Sequence, residues 1–439
     1  MTDTLTYRKI LSFWVPLAGT WMMMAIEGPY LSAVIARLPD ATTNLAAFGV
    51  AFSFAIIIES PVIMLLSAST ALVEDGPSYH ALRRFSYGIT AILTGVQLVV
   101  LLPPVFATIA NLLTLPTDVT RLTYGCLIIL IPWPAAIGYR RFNQGLLIRQ
   151  NLTRRVAYGT MIRLVTMSAT AFVAFRTSSL PGAYVGALAL SVAVVIEAIA
   201  SRAMTRGVIP DLLRRPRASG QMAALRVPAL IHFYVPLGLT SLIALSIQPL
   251  VTFFMGHARF PLESLAVLPV IHGLTFIFRA IGLSYLEVAI ALLGTRCKHF
   301  PELRNFAYAL ALLSTAGLST IAFTPLAHIW FQTISGLTPT LTSFALLPIQ
   351  ILAIFPMLSV ALHLLRAVLV HEHCTRPITW ATTSELVTVT GILIVTIHTY
   401  DLVGSVAAAA AILIGRIVGV IWLVPTTRHV LCGDNGKRY

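Results

Sequence analysis

Apolar residues run along this chain in long blocks, and short polar breaks separate them. The blocks lie at about 11–35, 44–72, 87–113, 120–146, 156–176, 182–204, 228–255, 263–293, 303–332, 339–369, 379–399 and 402–425. About 20 apolar residues carry a helix across the hydrocarbon core of a bilayer, and every block reaches that length. The thinnest break is "HTYDLVG", His398 to Gly404. The pattern predicts an all-α polytopic membrane protein with about 12 transmembrane helices. The first block is too long and too interrupted for a cleaved signal peptide, and no small-residue cleavage site follows it.

The charges in the breaks orient these spans. Arg8 and Lys9 precede the first. Even-numbered loops hold Arg83 and Arg84, then Arg149, Arg154 and Arg155, then Arg202, Arg206, Arg214, Arg215, Arg217 and Arg226. Arg296, Lys298, Arg304 and Arg376 follow in later even loops, and Arg428, Lys437 and Arg438 close the chain. Odd loops carry only Arg37, Arg121, Arg176 and Arg259. The positive-inside rule then places both termini and all even loops in the cytoplasm, with the spans in the cytoplasmic (inner or plasma) membrane. The sequon at Asn151 falls on the cytoplasmic side and is discounted as a glycosylation site.

The spans fall into two similar halves. "FWVPLAGT" (Phe13 to Thr20) returns as "FYVPLGLT" (Phe233 to Thr240), and "NLAAFGV" (Asn44 to Val50) aligns with "SLAVLPV" (Ser264 to Val270). "IPWPAAIGYRRFNQG" (Ile131 to Gly145) aligns with "AIFPMLSVALHLLRA" (Ala353 to Ala367). The offset stays near 220–222. Six spans separate equivalent points, so the repeat is parallel. The expected division is an N-lobe at 1–204, a basic linker at 205–227 and a C-lobe at 228–439. Transporters with such repeats hold their substrate between the halves, near the midplane.

Composition agrees with the span pattern. Of 439 residues, 57% are hydrophobic and 10% charged, against about 25% charged in soluble domains. The formal charge of +14 follows from the basic loops and needs no nucleic-acid partner. Four scattered cysteines show no pairing pattern. "HEHC" (His371 to Cys374) has metal-ligand residue types, but no second cluster completes a tetrahedral site. No P-loop and no nucleophile–base motif occurs. Neither enzymatic activity nor a cofactor or metal is expected.

Charges inside the spans carry the candidate chemistry. Each costs about 2.5–3.5 kcal/mol at a helix centre unless a partner or a wet cavity receives it. Arg140, Arg141, Arg163, Arg279, Arg366 and Arg416 lie within or at the edges of spans, as do Glu27, Glu59, Glu197, Glu287 and Glu385. The repeat aligns Glu59 with Arg279, Arg163 with Glu385, Gln144 with Arg366 and Glu27 with Gln248. Opposite charges at equivalent positions fit gating ion pairs, a cavity with one acidic and one basic wall, or pairs that only lock packing. In "MMAIEGPYLS", Glu27 sits beside Pro29, which removes a helical hydrogen bond. A carboxylate at a broken turn is a candidate proton or cation site. His272 lies two turns before Arg279 on one helix face.

Twelve spans in two parallel six-helix repeats, with bent first and seventh helices, resemble the multidrug/oligosaccharidyl-lipid/polysaccharide superfamily, which includes the multidrug and toxic compound extrusion (MATE) transporters. Within it, the chain is most similar to the progressive ankylosis protein branch. That resemblance rests on "SFWVPLAGT" (Ser12 to Thr20), "NLAAFGVAFSF" (Asn44 to Phe54), "QPLVTFFMGHARFPLESLAVLPVIHGLTF" (Gln248 to Phe276) and "ILAIFPMLSVALHLLRAVLVHEHCTRP" (Ile351 to Pro377). It implies a MATE-like two-lobe fold, alternating access and export of an anion of the citrate, ATP or pyrophosphate class. This chain is shorter than that branch, with reduced loops.

The combined reading is a monomeric secondary transporter that exports a small organic or phosphorylated anion in a lipid bilayer, coupled to H⁺ or Na⁺. Expected substrate-binding residues are Arg279, Arg366, Arg163, His272, Gln248 and Glu59. Expected coupling-ion residues are Glu27, Glu59 and Glu385. The rival readings are an H⁺- or Na⁺-coupled antiporter of organic cations, a flippase for a lipid-linked precursor, and a passive channel or receptor.

Overall fold

The computed structural model describes residues 5–150, 152–177, 179–214, 227–372, 374 and 376–431. Asn151 of the sequon, linker arginines 215, 217 and 226, His373 of the "HEHC" stretch, Cys432, Lys437 and Arg438 lie outside the described residues.

Among the described residues the chain is helical, apart from one isolated bridge between Arg259 and Val403. Among the described residues nine helices are long and apolar enough to cross a bilayer, and two bent helix pairs raise that to eleven. The chain is an integral membrane protein. All twelve predicted spans coincide with helix. The first is α1 (Tyr7–Ala36) and the second α2 (Ala41–Ile63) with α3 (Leu65–Leu72). The third is α4 (Gly76–Val100) with α5 (Pro103–Leu112), and the fourth α6 (Thr117–Ile129) with α7 (Trp133–Arg149). Then come α8 (Thr153–Thr177) and α9 (Gly182–Met204), with the short α10 (Val208–Arg214) after them. The second half brings α11 (Val227–Gly256), α12 (Pro261–Leu292), α13 (Phe300–Phe323) and the short α14 (Leu326–His328). It ends with α15 (Pro339–Ile351), α16 (Phe355–His371), α17 (Arg376–His398) and α18 (Gly404–Leu431).

Two details depart from the predicted spans. The third span is not one straight run from 87 to 113. It begins at Gly76, where Asp75 accepts from the Ser78 amide and the Ser78 hydroxyl answers the Asp75 amide, a reciprocal cap that starts the helix inside the predicted loop. It then bends by 75° before Pro103, because Pro103 and Pro104 bring no amide hydrogen to continue the α4 ladder. The first span is not interrupted at Glu27–Pro29. Helix α1 runs through both Pro16 and Pro29.

Packing divides the chain into two compact units, Leu38–Thr252 and Met1–Arg37 with Phe253–Tyr439. The six-span lobes are a division by sequence repeat; the compact units are a division by packing. They differ in where α1 and most of α11 belong.

In the unit that joins α1 to the chain from Phe253 onward, α1 packs along α12. The Trp14 indole donates to the Ser284 hydroxyl at 2.9 Å. Gly28 approaches the Gly273 backbone, and a Cβ on Gly273 would lie 3.0 Å from the Pro29 ring. The "EGP" stretch is thus a close helix crossing. Gly273→Ala drives a methyl into a rigid ring, and we expect it to cost about 1–3 kcal/mol. Gly19→Ala, on α1 with open space around it, is expected to gain about 1 kcal/mol from helix propensity. Thermal unfolding in detergent checks the order of the two midpoints.

In the other unit, residues of α11 pack on α2. The Tyr234 hydroxyl donates to the Pro61 carbonyl, and Ser53 and Thr252 share a hydrogen bond of 2.9 Å.

Each unit repeats one tie. The Ala183 amide at the start of α9 donates to the Asn44 side chain at 2.9 Å. The Ser405 amide at the start of α18 donates to the Ser264 hydroxyl at 3.2 Å. Asn44 and Ser264 are the residues that the repeat aligns, and both satisfy an otherwise orphaned amide at a helix N-terminus.

Candidate functional site: two buried charge clusters

In the unit spanning Leu38–Thr252, five charged side chains from four helices share one polar cluster. Glu197 of α9 is fully buried at its centre. It accepts from the Arg140 guanidinium of α7 in an ion pair, and from the Gln144 amide at 3.2 Å. The Arg163 Nε of α8 lies 3.5 Å from the same carboxylate. Gly159 leaves room beside it, with a hypothetical Cβ 3.6 Å from Glu197 Oε1. Two cations on one buried carboxylate meet the requirement that intramembrane charge be paired.

Glu59 of α2 belongs to the same group. The Trp133 indole, at the start of α7, donates to its Oε2. Arg140, Arg141 and Arg163 all act on it through space. Arg141 has no carboxylate within 4.0 Å among the described residues, and its buried Nε finds no acceptor. The cluster holds three arginines against two carboxylates.

The other unit carries a second cluster on α12, α16, α17 and α18. The Arg416 Nε donates to Glu385 Oε1 at 2.9 Å, and both side chains are buried. The Phe355 ring receives two guanidiniums, with Arg416 at 4.9 Å and Arg279 at 5.2 Å from its centroid. Arg279 also faces Phe276 at 5.9 Å. Cation–π contact is worth about 0.5–2 kcal/mol and does not neutralise the charge. Among the described residues no carboxylate lies within 4.0 Å of Arg279, and its buried Nε has no acceptor. Arg366 donates to the Thr382 hydroxyl at 3.0 Å, and its Nε is likewise buried without an acceptor. The His363 Nδ1–H donates to the Ser359 carbonyl at 2.6 Å. Arg366, Arg416 and Arg279 all lie within its electrostatic reach. Here three arginines face one carboxylate.

The two clusters are built on equivalent helix pairs with opposite polarity. In one unit the arginine is on α8 (Arg163) and the acid on α9 (Glu197). In the other the acid is on α17 (Glu385) and the arginine on α18 (Arg416). Small residues let the second pair close up. A Cβ on Gly415 would lie 3.1 Å from the Glu385 carbonyl, and one on Gly419 3.3 Å from Glu385 Oε2.

The structure therefore brings Arg279, Arg366 and Glu385 together, and separately groups Arg163 with Glu59. Glu27 and His272 flank the Gly28–Gly273 crossing of α1 and α12, and both are partly buried. Gln248 is partly buried on α11, in the unit of Glu59. Repeat register aligns Arg163 with Glu385, but no register marks Glu197, Trp133 or Phe355, which organise the clusters. Among the described residues, no group of three or more His, Cys, Asp or Glu side chains is placed to hold a metal ion.

An all-helical membrane bundle with arginines and carboxylates gathered inside each unit defines a polytopic membrane protein with built intramembrane polar sites. Solved structures of this fold are similar over nearly the whole chain. A MATE family multidrug resistance transporter of the MOP superfamily, in an outward-facing conformation, matches with a TM-score of 0.70 at 14% identity, covering 99% of this chain and 100% of that one. The lipid II flippase MurJ, in an inward closed conformation, matches with a TM-score of 0.71 at 13% identity over 94% of this chain and 87% of its own. A MOP superfamily transporter from Pyrococcus furiosus, described as having a binding pocket of reverse polarity, matches at 0.65 and 14% over 98% and 99%. The chain has the MATE-like fold expected from the sequence, and the likeness at this identity concerns the fold. No family model and no curated protein sequence matches it.

Proposed function

We propose that this chain is a secondary transporter whose cargo is a small organic or phosphorylated anion, moved by alternating access. The observation that carries this reading is Arg279. It is a guanidinium within a membrane span, stacked on Phe355 and Phe276, with no carboxylate within 4.0 Å among the described residues. A charge left in that state costs about 2.5–3.5 kcal/mol. An arriving carboxylate or phosphate removes the cost and meets the planar donor fork of an arginine. Arg366 offers a second under-satisfied guanidinium on the neighbouring α16. The resemblance to the progressive ankylosis branch points to the same cargo class, and the fold is shared with a MATE transporter and the MurJ flippase.

Glu59 and Glu27 are the carboxylates we assign to coupling H⁺ or Na⁺. Glu385 is held by Arg416, so its part is to set the charge of the cluster. A cation antiporter would have to bind its cargo through Glu27 and Glu59, because the most buried acids, Glu197 and Glu385, are already engaged by arginines. A second reading keeps the same chemistry: the arginines hold the pyrophosphate head group of a lipid-linked precursor.

Competition binding to the purified protein in detergent tests the cargo class. Citrate and ATP are expected to displace each other, whereas lipophilic organic cations displace neither. Displacement by organic cations alone contradicts the anion reading. Tight binding of a polyprenyl pyrophosphate, with no competition from citrate or ATP, selects the flippase.

A further inference from the structure

A groove of about 680 Å³ opens in the unit spanning Leu38–Thr252, walled by α4, α7 and α9. One face of α4 lines it from end to end: Tyr87, Thr90, Ala91, Thr94, Gly95 and Leu98. These positions follow the three- and four-residue spacing of a single helical stripe. Its apolar side chains remain exposed, at 44% for Tyr87, 48% for Leu98 and 61% for Ile199 on the α9 wall.

The length and ends of the groove identify what fills it. From Tyr87 to Leu98 a helix rises about 16 Å, close to half of a hydrocarbon core about 30 Å thick. The groove is therefore one leaflet long. Tyr87 stacks on Tyr139 of α7 at one end, with ring centroids 6.3 Å apart. Aromatic side chains of this kind mark the boundary between hydrocarbon and head groups. One turn beyond, on two different walls, stand arginines. Arg83 precedes Tyr87 by four residues and stacks on its ring at 5.4 Å. Arg202 follows Ile199 by three residues, and it acts electrostatically on Tyr139. Both belong to the set of basic residues that the positive-inside rule gathers on one side of the membrane. The floor is built from small residues, Ala91, Gly95 and Ala135.

We propose that this groove binds one anionic phospholipid from the leaflet on the side of the basic loops. One acyl chain lies along the α4 stripe between α7 and α9. The phosphate sits between Arg83 and Arg202, and the tyrosine pair marks the glycerol level. Apolar contact holds the chain, and the two arginines select the head-group charge. This site is separate from the buried clusters, so it stands whether or not the cargo assignment holds.

Native mass spectrometry of the protein, released from nanodiscs of phosphatidylglycerol and phosphatidylcholine in equal parts, tests the proposal. The wild type is expected to retain one phosphatidylglycerol in preference to phosphatidylcholine. The double variant Arg83→Ala/Arg202→Ala is expected to lose that preference by about 20–30-fold, from about 1 kcal/mol for each basic residue near a lipid surface. Arg83→Lys/Arg202→Lys should keep most of it. Gly95→Phe puts a ring into the groove from a position where a Cβ meets nothing within 4 Å. It is expected to shed the lipid of either head group and still fold, as read by its unfolding midpoint. Equal retention of both lipids by the wild type overturns the proposal. So does a phosphatidylglycerol preference that survives in the double alanine variant. A dimer of the wild type that Gly95→Phe dissociates would show a second copy on this face and would also overturn it.

Discussion

Glu197→Ala lowers the stability of the protein by about 3–5 kcal/mol, the expected cost of removing one partner from a buried ion pair and leaving the other charged. Glu197 is fully buried and is the common acceptor for Arg140, Gln144 and, at ion-pair distance, Arg163. Removing it leaves two guanidiniums close together in an apolar bundle. Their repulsion adds to the lost attraction. Glu197→Gln keeps an acceptor oxygen and the volume, and is expected to cost less than the alanine. Adding Arg140→Leu to Glu197→Ala should restore part of the loss, because it removes one of the two guanidiniums that faced the deleted carboxylate. Unfolding midpoints in detergent, together with the yield of folded protein, check the series. A double variant less stable than Glu197→Ala alone would show that Arg140 does not depend on this carboxylate.

Arg279→Ala has the opposite signature. It is expected to weaken anion binding by roughly 30–150-fold, the equivalent of about 2–3 kcal/mol for a charge-assisted contact. Stability should be unchanged or higher. The two contributions can be weighed directly. Truncation forfeits about 0.5–2 kcal/mol of contact with Phe355 and Phe276. It removes a charge that costs about 2.5–3.5 kcal/mol where nothing compensates it. The second is the larger, so the variant folds. Isothermal binding of citrate or ATP, paired with a thermal melt of the same preparation, separates the effects. Lost binding with a collapsed melt would mean that Arg279 holds the fold together. Retained binding would remove it from the cargo site.

These two variants show which parts of the site were readable in the sequence. The spans were readable because a membrane helix needs about 20 apolar residues, and few other arrangements supply them. The repeat was readable from its proline and small-residue landmarks. The paired caps at Asn44–Ala183 and Ser264–Ser405 give it a physical basis. The start of α4 lies inside the predicted loop because the Asp75–Ser78 cap begins the helix ahead of Arg83 and Arg84, two charges of the kind that loops carry.

The ion pairs were half readable. Repeat register matched Arg163 to Glu385, yet each has a partner inside its own unit, Glu197 and Arg416. The signal lay in depth. Two consecutive antiparallel spans joined by a short loop bring together residues equally far from that loop. Arg163 and Glu197 meet this condition across the α8–α9 loop, as Glu385 and Arg416 do across the α17–α18 loop. Phe355 and Trp133 were not readable at all. Their roles depend on which rotamer faces the cluster, and composition does not encode that. The "EGP" stretch changed meaning most. Its glycine and proline form a tight crossing with Gly273 rather than a break, and Glu27 remains beside it as a charge that the crossing itself does not require.

The central claim is that this protein moves anions across a membrane by using a gradient. The most direct measurement is uptake of radiolabelled citrate and ATP into proteoliposomes with an imposed pH or Na⁺ gradient, for the wild type and Arg279→Ala. The account predicts gradient-dependent uptake of at least one of these anions by the wild type and its loss in the variant, with both proteins equally folded. Uptake that ignores the gradient would make the protein a passive pathway. Gradient-driven uptake of organic cations, with none of either anion, would contradict the account outright.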